Sequence, residues 1–481
     1  MNPAPEMGPA TIGARLDRLP WSARHTTILL ALGAGWLFDS FEVQLFSSAV
    51  GPLGDHFGAS VLARTAVLAV WLSGILLGAL LGGWLTDRFG RRRLFVATLL
   101  WYAGFTVLTG LAPTLEVVYV LRFLAALGVG AEYAIINAAI AEFMPARVRG
   151  RANAIVMNFW PVGAILAALL AYLLLDTLAL DAATSWRYMF VLGGLLALIV
   201  LVFRRRIPES PRWLASRGRH TEADQIVSAL ESGTGATTMM TAAAVSAGPA
   251  PLRLRAALRE LIRDHPRRLA LGATLDLAEA FGYYGLFALL SVIVLPLVHI
   301  SQTQIPFFYI IGNLGAVAGG LAMSIVFDRI GHGVTVIATY TAAAVSVGLL
   351  AAATATGSAA WVSVAFVVAN AFGTAAWTSA YPAFTELFPT HLRATGIGIS
   401  VAIGRAGAII GTLALPSLAA ALGAGVSYLL VVGFWLIGAA AMALYASTGG
   451  LEAARRPLET LALRARPATH DQPGTGRAGT P

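Results

Sequence analysis

The chain has no cysteine and no lysine. The first absence removes disulfides, thiolate chemistry and thiolate-bound metal from consideration. The second means that all 33 basic residues are arginine, a side chain that keeps its charge. Charge of either sign is scarce: 12% of the 481 residues, against about 25% in an ordinary soluble domain. No Walker-type phosphate loop occurs, so ATP-driven work has no support. The eight histidines make no HExxH pattern, and no nucleophile–base constellation is visible. Neither an enzyme, a metal site nor a cofactor is expected.

What is present is apolar. Hydrophobic residues make up 57% of the chain and the mean hydropathy is +0.74, the signature of a polytopic membrane protein. A net charge of +9 raises the question of nucleic acid. The arginines, however, sit almost wholly between apolar runs, where they read as topology signals. The expected partner is therefore the lipid bilayer and not nucleic acid.

A spanning helix needs about 20 apolar residues. That length gives twelve expected spans, near 25–49, 65–86, 94–112, 117–140, 152–175, 186–203, 269–297, 304–327, 334–355, 360–383, 394–421 and 426–446. The first run is too long for a signal-peptide core, so it reads as retained. Alternate connections carry the arginines: the N-terminus, Arg88 to Arg93, Arg147 to Arg151, 204–268, Arg329, Arg393 and Arg455/Arg456. The positive-inside bias then puts both termini in the cytoplasm, in a cell (inner or plasma) membrane.

The expected organisation is a cytoplasmic N-terminal segment (1–24, with 1–13 disordered), a six-helix half (25–203), a cytoplasmic linker (204–268), a second six-helix half (269–446) and a disordered cytoplasmic tail (447–481). Within the linker, Ala223, Ile226, Val227 and Leu230 fall on one helical face. Residues 232–251 are Ser/Thr/Ala/Gly-rich and read as flexible, and Leu252 to Ile262 forms a second amphipathic piece. The halves are related. Asp87-Arg88 recurs as Asp328-Arg329, Glu142…Arg149 as Glu386…Arg393, and Asp39-x-x-Glu42 as Asp276-x-x-Glu279, all at offsets of 237–244 residues. Duplicated six-helix halves around a central site are a transporter architecture.

Four stretches carry a family resemblance: GGWLTDRFGRRR (82–93), RFLAALGVGAE (122–132), EFMPARVRGR (142–151) and PESPRWL (208–214). On these the chain resembles the major facilitator superfamily over essentially its whole length. RLDRLPWSARH (15–25), GWLFDSFE (35–42), FGYYGLF (281–287) and IGRAGAIIG (403–411) make it most similar to one branch. That branch spans bacterial niacin and organic-acid transporters and the synaptic vesicle glycoprotein 2 relatives. Sugar porters share PESPRWL, but their glutamine-rich signature is missing from span seven, which reads AEAFGYYG. The resemblance implies an all-α fold of twelve helices; the chain is expected to function as a monomer. It also implies a pair between the span-one aspartate and the span-four arginine, and cytoplasmic charges that latch the halves.

A charge inside a bilayer costs about 2.5–3.5 kcal/mol on insertion scales, so those present are site candidates. Asp39 and Arg122 lie at similar depth at helical rise, which predicts that they pair, with Asp39 as proton carrier and Arg122 as its modulator. A static ion pair orienting two helices is the alternative. Glu42, one turn from Asp39, and Glu132, beside Gly128 and Gly130, are further proton-coupling candidates or structural polar groups. Arg405 lies near the midplane of span eleven and could hold a carboxylate in a bidentate fork. Asp276 and Glu279, at similar depth, could instead neutralise it. Tyr283, Tyr284, Phe159, Trp160 and Trp377 could stack on a ring or could simply pack helices. At the cytoplasmic surface Asp87, Arg88, Arg91, Arg92, Glu142, Arg149, Asp328, Arg329, Glu386 and Arg393 form a candidate gate.

The sequence therefore predicts a secondary active transporter, most simply a proton symporter of a small aromatic or heteroaromatic acid of the niacin type. A sugar or polyol symporter, a metabolite exporter, or a non-transporting sensor or scaffold are the alternatives.

Overall fold

The structure is a computed structural model and describes residues 11–178, 180–205, 207–232, 252–300, 305–452 and 456. The spanning helices are α1 (Ala23–His56), α2 (Val61–Phe89), α3 (Arg91–Gly110), α4 (Leu115–Phe143), α5 (Arg149–Met157, continued by Phe159–Tyr172) and α6 (Ala182–Arg204). The second half repeats them as α7 (Pro266–Leu289), α8 (Ile305–Ile330), α9 (His332–Ala355), α10 (Ala359–Thr385), α11 (Arg393–Leu422) and α12 (Ala424–Ser447). Among the described residues there is no strand. Eleven described helices are long and apolar enough to cross a membrane. The twelfth, α7, is diluted by Asp276, Glu279 and two tyrosines, yet it packs along α11 and α12 as a full member of the bundle. The protein is an all-α, multi-pass membrane protein of two six-helix halves.

The basic turns between α2 and α3 and between α8 and α9 have one design. Gly90 (φ +99°) and Gly331 (φ +102°) adopt backbone conformations that side-chain-bearing residues rarely take, so each helix can stop and the next can start at once. A carboxylate then covers each new helix N-terminus. Glu209 accepts from the backbone N–H of Arg91 at 2.8 Å; Glu452 accepts from those of His332 and Gly333, both at 3.2 Å. Anionic side chains at helix N-termini satisfy orphan donors and suit the dipole. Glu209 lies outside the spans, and burial pushes its carboxyl above the ordinary range.

Beyond α6 the chain forms short helices at Pro211–Ser216, His220–Ser232 and Leu254–Asp264. The second buries Ala223, Val227 and Leu230, the face expected from their spacing. The N-terminal expectation of disorder to residue 13 needs correction, because Ile12–Arg18 is a helix capped by Thr11. Arg15 holds it, pairing with Glu231 at 2.6 Å and with Asp224, while Asp17 pairs with Arg212 at 2.9 Å. The expectations for residues 1–10, for the linker over 233–251 and for most of the tail lie outside the described residues.

The halves meet at the end of the bundle that carries the termini, here the terminal face. Gly83 on α2 lies against the carbonyl of Ala394, and Gly398 on α11 against that of Ala79. A Cβ at either position would overlap that backbone, so glycine is what lets the two helices touch. On the other side of the bundle Gly320 of α8 packs on Asn158, where α5 is interrupted.

Candidate functional site

Between the halves lies a small cavity of about 20 Å³, lined by Trp36, Met157, Trp160, Tyr283, Thr374, Trp377 and Thr378. Three of the predicted stacking residues, Trp160, Tyr283 and Trp377, line it. Phe159 does not: its ring stands against Gly33 and fills the α1–α5 contact. Met157 and the two threonines carry no charge and no motif, so nothing in the sequence distinguished them from packing residues; Trp36 lies in the GWLFDSFE stretch, which marked the branch and not a cavity.

Arg405 sits beside this cavity and is fully buried. Its guanidinium carbon lies 5.1 Å from the Tyr133 ring, 5.0 Å from Tyr284 and 5.3 Å from Trp377. Cation–π attraction favours such placement, more so when water is absent. None of its three nitrogens has a hydrogen-bond partner among the described residues. Its nearest anion is Asp276 at 4.0 Å, beyond hydrogen-bond length. Trp377 belongs both to this aromatic enclosure and to the cavity wall. Glu279, one turn from Asp276, lies 2.9 Å from the Tyr340 hydroxyl.

In the N-terminal half the expected pairing needs correction. Arg122 pairs with Glu42 at 2.5 Å and lies 4.6 Å above the Phe46 ring. Asp39 is not its partner. Both residues are on α1, but the outer turn that carries Glu42 also carries Phe46, and the guanidinium settles over that ring. Thr106 donates to Glu42 at 3.2 Å. Asp39 is fully buried, and neither carboxyl oxygen has a hydrogen-bond partner among the described residues. Glu132 pairs with Arg204, which also donates to the Phe95 carbonyl at 2.7 Å. Arg204 was missed because it opens an arginine triplet at a helix end, where it reads as a topology signal. Folding turns it inward.

At the terminal face the predicted gate residues fall into two groups. Glu142 Oε1 meets Arg91 at 2.7 Å and, from the other half, Arg393 at 3.3 Å. Arg149 and Glu386 pair across the halves at 2.6 Å. Asp87 accepts from the Thr395 N–H and hydroxyl, both at 2.8 Å, and so covers the N-terminus of α11. All of these are buried. Arg88, Arg92 and Arg329 are exposed on the surface; Arg88 stacks on Trp84 and Phe89, both at 5.4 Å. The Asp328 side chain lies outside the described residues.

Residues 32–412 match the family model described as Major Facilitator Superfamily. The chain belongs to that superfamily. Members carry small solutes across membranes, and this chain is a transporter of that kind, not an enzyme. It is 28% identical over 399 residues to the niacin transporter NiaP of Acinetobacter baylyi, covering 82% of this chain and 88% of the relative. To a probable 4-methylmuconolactone transporter of Cupriavidus pinatubonensis it is 29% identical, over 79% of this chain and 81% of the other. Among solved structures the transporter superposes on the proton:xylose symporter XylE bound to 6-bromo-6-deoxy-D-glucose. The TM-score is 0.76, with 20% identity, 92% coverage of this chain and 99% of that one. At that identity the likeness is one of fold.

Proposed function

We propose that this transporter moves a small aromatic or heteroaromatic carboxylic acid of the niacin type in symport with protons, by alternating access around the central cavity. One observation carries the reading: Arg405 is a fully buried guanidinium with aromatic faces around it and no hydrogen-bond partner among the described residues. A buried cation with open donors is costly, and a carboxylate in a bidentate fork satisfies both its charge and its geometry. Trp160, Tyr283 and Trp377 offer ring faces at the adjoining cavity. The relative NiaP is a niacin transporter by name, which agrees with that chemistry.

Asp39 is the proposed proton carrier. It is a fully buried carboxyl with no hydrogen-bond partner among the described residues, and proton uptake removes the cost of its charge. The arginine-rich terminal face is placed in the cytoplasm of a plasma membrane by the positive-inside bias. The ion pairs of Glu142, Arg149, Glu386 and Arg393, with Asp87 on the end of α11, then act as an inner latch that is closed in this structure. A monomer holds every group this cycle uses.

Purified protein in proteoliposomes tests the reading. Nicotinate uptake is expected to rise on imposing an inward proton gradient, to fall on adding a protonophore, and to resist competition by xylose. Transport of xylose in place of nicotinate would overturn it.

A further inference from the structure

Among the described residues the interior of the bundle holds more acids than bases. Five carboxyl groups (Asp39, Glu42, Glu132, Asp276 and Glu279) face three guanidiniums (Arg122, Arg204 and Arg405), all of them buried. In the N-terminal half Glu42 takes Arg122 and Glu132 takes Arg204, which leaves Asp39. In the C-terminal half Asp276 stands nearer to Arg405, at 4.0 Å, which leaves Glu279. Each half therefore contains one carboxyl with no cation of its own.

The surroundings of Glu279 say how it is satisfied. From α9, the Tyr340 hydroxyl oxygen lies 2.9 Å from Glu279 Oε2 and 3.1 Å from the Leu275 carbonyl oxygen. A hydroxyl has one hydrogen to give, and the carbonyl can only accept. Both contacts become hydrogen bonds if Tyr340 donates to Leu275 while a protonated Glu279 donates to Tyr340. The remaining groups around Glu279 are Asp276 on its own helix, Arg405 on α11 and Tyr381 on α10. From α12 comes the uncharged Trp435, whose ring lies 5.1 Å from Tyr340. Of these only Arg405 is a cation, and it is nearer Asp276. Glu279 Oε1 has no hydrogen-bond partner among the described residues.

We infer that Glu279 is a second proton-binding site, in the C-terminal half, held by Tyr340, so that the closed transporter carries two protons, one in each half. The site stands beside Arg405. An anion arriving there competes with Asp276 for the same guanidinium, and a proton already on Glu279 limits the negative charge gathered around one cation. The inference takes from the proposed function only that Asp39 holds a proton. It is independent of the solute, so a failed nicotinate assay would leave it standing.

Infrared absorption of the full-length protein in nanodiscs, at neutral pH and without solute, tests this directly through the carbonyl stretch of protonated carboxyls. Two such signals are expected. Asp39→Asn removes one and Glu279→Gln removes the other. Tyr340→Phe shifts the position of the Glu279 signal and leaves that of Asp39 in place. Should Glu279→Gln fail to fold, the Tyr340→Phe shift decides. An absorbance unchanged by Glu279→Gln in folded protein, or unmoved by Tyr340→Phe, overturns the inference.

Discussion

Arg122 meets Glu42 at 2.5 Å, one helical turn beyond the aspartate it resembled a partner for. Removing one member of a buried ion pair strands the other and costs about 3–5 kcal/mol, whereas replacing both with apolar residues can cost little. Glu42→Gln is therefore expected to lower the thermal midpoint of the purified protein sharply. Glu42→Leu combined with Arg122→Met is expected to restore most of it. Asp39→Asn, which breaks no ion pair in this structure, should leave the midpoint near that of the wild type.

The terminal-face latch predicts how the two halves part. Arg149→Gln removes a buried charged contact to Glu386, which is worth about 1.5–3 kcal/mol. The opening equilibrium should then move by about ten- to hundredfold. Gly83→Leu should do the same by forcing a side chain into the Ala394 carbonyl. Because the chain has no cysteine, Asn158→Cys places a single thiol under the α5–α8 contact. Its labelling by a membrane-impermeant reagent from the terminal side should accelerate in both variants. Equal rates would dismiss the latch.

His265 gives a pH signature outside the spans. It is largely buried, and burial together with the Arg268 charge holds its imidazole below the ordinary value of 6.5. The folded chain then binds fewer protons than the unfolded chain as pH falls through that region. The stability this contributes is complete above the ordinary value and is lost as pH drops below it. Thermal midpoints taken between neutral and mildly acidic pH should fall less steeply in His265→Gln than in the wild type.

Spans and repeat were legible in the sequence because hydropathy and the spacing of charged motifs are properties of single segments. Span seven was legible as well, although Asp276 and Glu279 dilute it. Which acid pairs with which arginine was not legible. Asp39 and Glu42 lie within one turn of each other, and what sets Arg122 on Glu42 is packing from other segments, the Phe46 and Phe190 rings and the Thr106 hydroxyl. Arg204 was hidden by its place in a basic triplet. Glu209 and Glu452 each cap the helix that starts at the basic turn of their half. They form a fourth repeat match that their unlike neighbours concealed, since only the role is kept. The cavity threonines gave no signal at all and Trp36 only a family motif, because lining a cavity is a property of the assembled bundle.

The central claim is that Arg405 receives a carboxylate beside the aromatic cavity. The most direct measurement is binding to purified protein, read by fluorescence of the cavity tryptophans Trp36, Trp160 and Trp377, with nicotinate set against its neutral amide. A charge-assisted contact worth about 1.5–3 kcal/mol predicts that nicotinate binds about ten- to hundredfold more tightly than nicotinamide, and that Arg405→Gln erases the difference. Equal affinity for the two, no binding of nicotinate, or a preference that survives Arg405→Gln would contradict the account.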